Sequence, residues 1–194
     1  MKIVERSEVL GLAEYEQLRP HFRGRIIAEK RERRLSVGPM MTAMFENRET
    51  VLLQIQEMLR TERITKESGI THEIATYNEL VPGDNELSFS LFIEIADKDE
   101  RERMLEALVD VEDTVAIEVG DESFAATGKR EGVEPGRTTA IHYLKVTLSP
   151  QAVAALEDDG VSMHFLIGHA AYQQRIPIVG AVRQQLRADL GWSS

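Results

Sequence analysis

The stretch Leu87-Ser-Phe-Ser-Leu-Phe-Ile-Glu-Ile95 decides how this chain is read. Leu87, Phe89, Leu91, Ile93 and Ile95 take every second position against Ser88, Ser90, Phe92 and Glu94, a period of two that fits a strand and not a helix. Asp97 follows with Glu100 three residues on, the spacing of a helix cap, and opens a helix that buries Met104, Leu105 and Leu108. Residues 115–119 and 123–127 read as a hairpin around Gly120-Asp121. A polar, glycine-rich stretch over 128–137 comes next, and 129–138 is the segment expected to be a mobile loop. The pattern then repeats. Residues 141–148 form a strand, Ser149-Pro150 supplies a cap and first residue for a helix reaching 156, and 161–167 return as a strand. An extended piece over 174–179 and a helix over 181–190 complete the chain. Strand, helix, strand thus occurs over 87–119 and again over 141–167, with no sequence repeat behind it. The expectation is an α+β fold: a helical N-terminal third packed on one mixed or antiparallel sheet, of which a ferredoxin-like sheet is one form.

Working back from Leu87, residues 1–82 read as the helical layer and 83–194 as the sheet-bearing part of a single compact domain. Ser7 can cap a short turn, 12–19 continue as helix, and Pro20 breaks or restarts it. Phe22, Ile26 and Ile27 are expected to face inward there. Residues 35–45, with Gly38-Pro39, read as irregular extended chain leading to a long helix over 47–67 that Gly69 ends. A helix over 71–80 and the turn Val81-Pro82-Gly83-Asp84 follow. In the long helix Val51, Leu52, Ile55, Met58 and Leu59 form one stripe, and Glu62 falls at its centre with Gln54, Glu57 and Thr61 beside it. A carboxylate on a buried line needs a partner. Lys66 one turn on, and Arg48 at the other end of that line, allow the plainer reading of a stripe whose charged ends leave the core.

Composition bounds the function class. The 194 residues carry 42% hydrophobic content, no cysteine and a formal charge of −10. Without cysteine the chain forms no disulfide, thiolate nucleophile or cysteine-held iron–sulfur cluster, so a metal would rest on His, Asp or Glu. No apolar run approaches the roughly 20 residues that span a bilayer, and residues 1–10 lack a signal-peptide core, so a soluble cytoplasmic protein is expected. The acidic charge argues against general nucleic-acid binding. It is unevenly spread, because residues 19–34 carry a net +5 and leave −15 elsewhere.

No glycine-rich phosphate loop and no Gly-x-Ser-x-Gly is present, so the candidates are constellations rather than motifs. His142 shares strand parity with Leu144, Val146 and Leu148, and His169 with Met163, Phe165 and Ile167, which places both on apolar faces. A hydrogen-bonded core histidine is the common form of such a residue. Together with Glu62 and Glu57, and with Glu46 in support, the two histidines form a His and carboxylate set suited to iron, manganese or zinc. His21 and His72 lie among charged helical residues and read as surface. Arg23, Arg31, Arg33 and Arg34, with Arg48 and Arg60, are the residues suited to grip an anion or an acidic partner.

The chain resembles an uncharacterised bacterial family, domain of unknown function 3501. The resemblance spans nearly all of it and rests on Tyr15-Glu-Gln-Leu-Arg19-Pro20-His-Phe22-Arg23, Phe45-Glu46-Asn47-Arg48, Gln54-Ile-Gln-Glu57-Met-Leu-Arg60-Thr-Glu62-Arg63, Tyr77-Asn78-Glu-Leu80-Val-Pro82 and Ala140-Ile-His142-Tyr-Leu. The family has no established activity. Its members are often encoded near rubrerythrin and an iron–sulfur oxidoreductase subunit, which implies a link to peroxide or anaerobic electron metabolism. Family members tend to carry Asp-His-Pro near the final strand, where this chain has Gly168-His169-Ala170, so a metal site at His169 has lost its neighbouring acid. The leading expectation is an accessory protein that binds a redox protein partner through the basic helix or the outer sheet surface. The alternative is a metal-dependent enzyme or sensor using Glu57, Glu62, His142 and His169, and self-association is left open.

Overall fold

A computed structural model describes residues 1–128 and 135–192. Its α-helices are α1 (Leu12–Glu32), α2 (Arg48–Thr61), α3 (Glu67–Asn78), α4 (Lys98–Ala107), α5 (Pro150–Ala155) and α6 (Gly180–Asp189). The strands are β1 (Arg34–Val37), β2 (Met41–Glu46), β3 (Glu86–Ile93), β4 (Val115–Val119), β5 (Glu122–Ala125), β6 (Thr127–Gly128), β7 (Ile141–Thr147), β8 (Met163–His169) and β9 (Tyr172–Pro177). Residues 129–134, most of the segment read as a mobile loop, lie outside the described residues.

The α+β class is as the sequence indicates, but the strands build two antiparallel sheets. One runs β1-β2-β3-β7-β6 and the other β5-β4-β8-β9. Each strand–helix–strand unit crosses between them: β3 and β7 lie in the first sheet, β4 and β8 in the second. In place of a single ferredoxin-like sheet, two sheets face each other. Alternation reports that one face of a strand is buried and is silent on which sheet the strand joins.

The sandwich core is what that alternation supplies. Phe45 of β2 and Phe89 of β3 meet Phe165 of β8, with ring centroids 5.5, 6.3 and 5.1 Å apart for the three pairs. Leu91, Leu144 and Val146 from the first sheet, and Ile117, Met163 and Ile167 from the second, surround them. Leu105 and Leu108 close one part of this core, and Ala152, Leu156, Val182 and Leu186 close others. Asp97 caps α4 by accepting from the Glu100 amide at 2.8 Å, and Ser149 caps α5 by accepting from the Ala152 amide at 3.0 Å. Trp192 packs against the same core and donates to the Val153 carbonyl at 3.2 Å. A second, smaller core joins Val4 and Val9 to Val51, Leu52, Ile55 and Leu59 of α2 and Ile70 and Ile74 of α3.

Three N-terminal elements differ from their sequence reading. First, α1 runs unbroken through Pro20, which removes one backbone bond from a helix pinned on either side by buried Tyr15 and Ile26; Ile27 faces solvent. Second, α2 stops at Thr61. The Ile64 amide reaches back to the Leu59 carbonyl at 2.9 Å and Arg63 to Arg60 at 3.3 Å, with Arg63 in the left-handed region at φ 53°. Ile64 joins the smaller core, so an apolar side chain fixes this ending without glycine, and Gly69 lies inside α3. Third, residues 34–46 form the β1–β2 hairpin.

Gly38 turns that hairpin at φ 70°, and a Cβ there would stand 2.4 Å from the Tyr172 hydroxyl oxygen. Tyr172 donates to the Val37 carbonyl at 2.5 Å and accepts from the Met40 amide at 3.3 Å, tying the hairpin to the second sheet. Gly38→Ala is therefore expected to destabilise by more than the ~1 kcal/mol of ordinary glycine effects, and Phe165→Ala by about 3–5 kcal/mol. Denaturant unfolding of the two variants checks both.

Candidate functional site

The four residues read as metal ligands stand apart. Glu62 is not on the buried line: the early end of α2 makes it the C-cap residue, exposed to solvent. Glu57 lies on α2 and is engaged from α1, accepting from the Tyr15 hydroxyl at 2.6 Å and from Arg19 at 2.7 and 2.9 Å. The Arg19 guanidinium and the Tyr15 hydroxyl outweigh burial and hold the Glu57 carboxyl at about 2. His169, at the end of β8, accepts the Ala171 amide on Nδ1 at 3.1 Å and sets Nε2 3.1 Å from the Val109 carbonyl, which fixes the Nε2–H tautomer. His142 lies on β7 in the first sheet, opposite Leu91. Among the described residues no group of three or more His, Asp or Glu is arranged to hold a metal ion.

The arginines divide by what they touch. Arg33, read as part of an outward basic face, is 2% exposed. It donates to both Asp189 oxygens and to Gln185 of α6, and to Glu29 one turn back. Asn47, the cap of α2, donates to the same Glu29. A guanidinium buried this far needs its carboxylates, and Asp189, lifted by burial and pulled back by Arg33, is the main one. Arg34 bonds Glu94 at 2.5 Å, Arg48 holds Glu8 and Glu49, Arg60 stands 2.9 Å from Glu16, and Arg25 is 3.1 Å from Glu49. Among the arginines of the basic run, Arg31 and half-buried Arg23 are those for which the described contacts include no ion pair.

A polar layer between the two cores brings together residues from the serine side of β3, its neighbours β2 and β7, and α2. On the outer face of the first sheet, cross-strand rows read Glu46–Ser88–Lys145 and Met44–Ser90–Tyr143. Glu46, 3% exposed, accepts from Ser90 at 2.7 Å and from Thr50 of α2 at 2.6 Å. Gln54, one turn along α2, lies beside both Tyr143 and Tyr77 of α3, and burial then the Glu46 carboxylate push the Tyr143 hydroxyl up. Lys145 donates to Glu86 at 2.6 Å and to the Val81 carbonyl at 3.0 Å. Glu46, Gln54, Tyr77 and Tyr143 all fall within the quoted stretches 45–48, 54–63, 77–82 and 140–144, the signal that would have found them.

On the opposite face of β7, His142 is buried with Leu144 and Val146. Its Nε2 lies 3.1 Å from the Thr138 hydroxyl and its Nδ1 3.8 Å from the buried Glu112 carboxylate. Burial, opposed by Glu112, lowers the proton affinity of the imidazole. The two carboxylate and imidazole sites give separate pH windows. The folded His142 refuses a proton that the unfolded chain takes up near 6.5, so stability is full above that value and falls as the pH drops below it. The Glu57 contribution is full above about 4.5 and is lost as the pH falls toward 2. Unfolding free energies across pH 2–8 should lose the upper slope in His142→Gln and the lower in Glu57→Gln.

No curated protein matches the chain. A crystal structure of a protein of unknown function from Burkholderia pseudomallei K96243 is similar over 97% of this chain and 100% of its own, at 32% identity and a TM-score of 0.89. A family model described as protein of unknown function (DUF3501) matches residues 3–190. With that match across almost its whole length, the chain belongs to the DUF3501 family of proteins of unknown function.

Proposed function

We propose that the protein is a partner-binding accessory protein and that α1 is its contact element. The observation that carries this is how little of α1 the fold uses. Over 21 residues only Tyr15 and Ile26 are buried. Leu18 and Ile27 are large apolar side chains left exposed. A long helix with so small a buried stripe is the kind that bridges to another body. Exposed Arg31 lies one turn beyond Ile27 on the same face of the helix, so an acidic protein surface with an apolar spot to meet Ile27 is its complement. Arg33 is left out of this contact, because it holds α6. No helix among the described residues is long and apolar enough to cross a membrane.

The redox character of the partner rests on the family resemblance alone, which points to rubrerythrin or the iron–sulfur oxidoreductase subunit. Calorimetric titration of the purified chain with each should give binding that weakens as salt is raised, since screening shortens from about 10 Å at 0.1 M to 3 Å at 1 M. The double variant Ile27→Asp/Arg31→Glu should abolish it while unfolding like the parent. Binding to neither protein, or binding that survives the double variant and high salt unchanged, overturns this reading. A stable dimer of the chain alone, lost in the same variant, would assign α1 to self-association instead.

A further inference from the structure

Strand β9 keeps one side unpaired. It closes the sheet β5-β4-β8-β9, and its residues Tyr172, Gln174 and Ile176 stand opposite His169, Ile167 and Phe165 of β8. The Ile178 amide donates to the Met163 carbonyl at 2.8 Å in the same register, so these are the hydrogen-bonded pairs of the ladder. Gln173 and Arg175 alternate with them and turn their N–H and C=O groups to the free edge. Both residues are exposed, and among the described residues nothing outside the ladder bonds to either main chain. Natural edges are blunted by shortness, bulges or charge. Strand β9 has six residues, against four in β1, four in β5 and two in the described part of β6, and it pairs without a bulge. Its one charge lies across its own sheet and away from the edge: Arg175 donates from Nε to Glu118 of β4 at 2.9 Å and stands 3.2 Å from His164 Nδ1 of β8. A shallow depression of about 300 Å³ over Gly168, Gln173 and Arg175 leaves the outer face beside the edge open.

The chemistry of this edge fits a second copy of itself. In an antiparallel pair of β9 strands centred on Gln174, Gln173 of each copy stands opposite Arg175 of the other, and every outward N–H and C=O of these residues finds a partner. The cationic side chains then face glutamines and no like charge is opposed. Neighbouring registers fail. Centring on Arg175 sets two guanidinium side chains against each other and brings Pro177, which has no N–H, opposite Gln173. Centring on Gln173 brings Arg175 opposite Ala171, whose amide already donates to His169 Nδ1 at 3.1 Å. We infer that β9 is the interface of a homodimer in which the two four-stranded sheets join edge to edge in the Gln174-centred register. This surface is separate from the α1 contact and does not depend on it.

The test is sedimentation of the full chain over a concentration range, with hydrogen exchange at the Gln173 and Arg175 amides. A monomer–dimer equilibrium is expected, and exchange at both amides should slow as the dimer fills. The register makes charge at residue 173 decisive. Gln173→Glu sets a carboxylate opposite Arg175 of the other copy and should tighten the dimer about tenfold, whereas Gln173→Arg opposes like charges and should loosen it about tenfold. Residue 173 is exposed, so both variants should unfold at the parent's midpoint. Gln173→Pro removes an edge donor and should give a monomer. The α1 variant Ile27→Asp/Arg31→Glu should dimerise like the parent. A chain that stays monomeric at every concentration, Glu and Arg at 173 shifting the dimer in the same direction, or a dimer lost in the α1 variant overturns the assignment. Protection of the two amides that appears only when another protein is added overturns it as well, and gives the edge to a foreign strand.

Discussion

The contact between Phe45, Phe89 and Phe165 is the constraint on which the rest of the structure depends. Two rings come from one sheet and one from the other, so closing this cluster defines the inner face of both. Once Phe45 and Phe89 point inward, strand alternation forces Glu46, Ser88 and Ser90 outward, and the outward face of β2 and β3 has to be covered. The coverage comes from α2, with Thr50 and Gln54 directed at the sheet. A polar layer is thus trapped between an aromatic sandwich and a second aliphatic core, where water is scarce and each polar atom has to be answered from within.

That placement explains why the chain's chemistry gathers where it does. Buried hydroxyls and a carboxylate between two dry cores form a rigid set with defined donors and acceptors, more strongly interacting than the same groups on a surface. The surface charges behave differently. Most arginines of α1 and α2 are spent on carboxylates of neighbouring elements, a seam of ion pairs between layers whose separate contributions are small where exposed. The ion-paired seam and the buried polar layer therefore differ in kind, one exposed and screened by salt, the other short-range and geometric.

What the sequence made legible follows from the range of each signal. Strand β3, the Asp97 and Ser149 caps and the burial of His142 depend on residues within a few positions of one another, and period or capping chemistry exposes them. The division into two sheets depends on which strands pair across 40 or more residues, which local alternation does not encode. The end of α2 was misjudged because Ile64, an apolar residue in the smaller core, does the work usually left to glycine. Arg33 looked like its neighbours, because a carboxylate 156 residues away distinguishes it. The alternation of Ser88 and Ser90 with Leu87, Phe89 and Leu91 separates the two faces of β3 but does not encode that a second layer covers the serine face.

The link from Arg33 to Asp189 has a consequence for synthesis. Chains fold as they emerge, N-terminal parts first. The end of α1 and its hairpin are made early, yet the guanidinium at their junction lacks its main counter-ion until α6 leaves the ribosome. Until then, burying Arg33 is unfavourable and the junction stays unset. The last helix therefore acts as a completion check: a product cut short before residue 189 has a loose N-terminal layer as well as a missing helix, and proteases that read loose chain would clear it at the opposite end from the break.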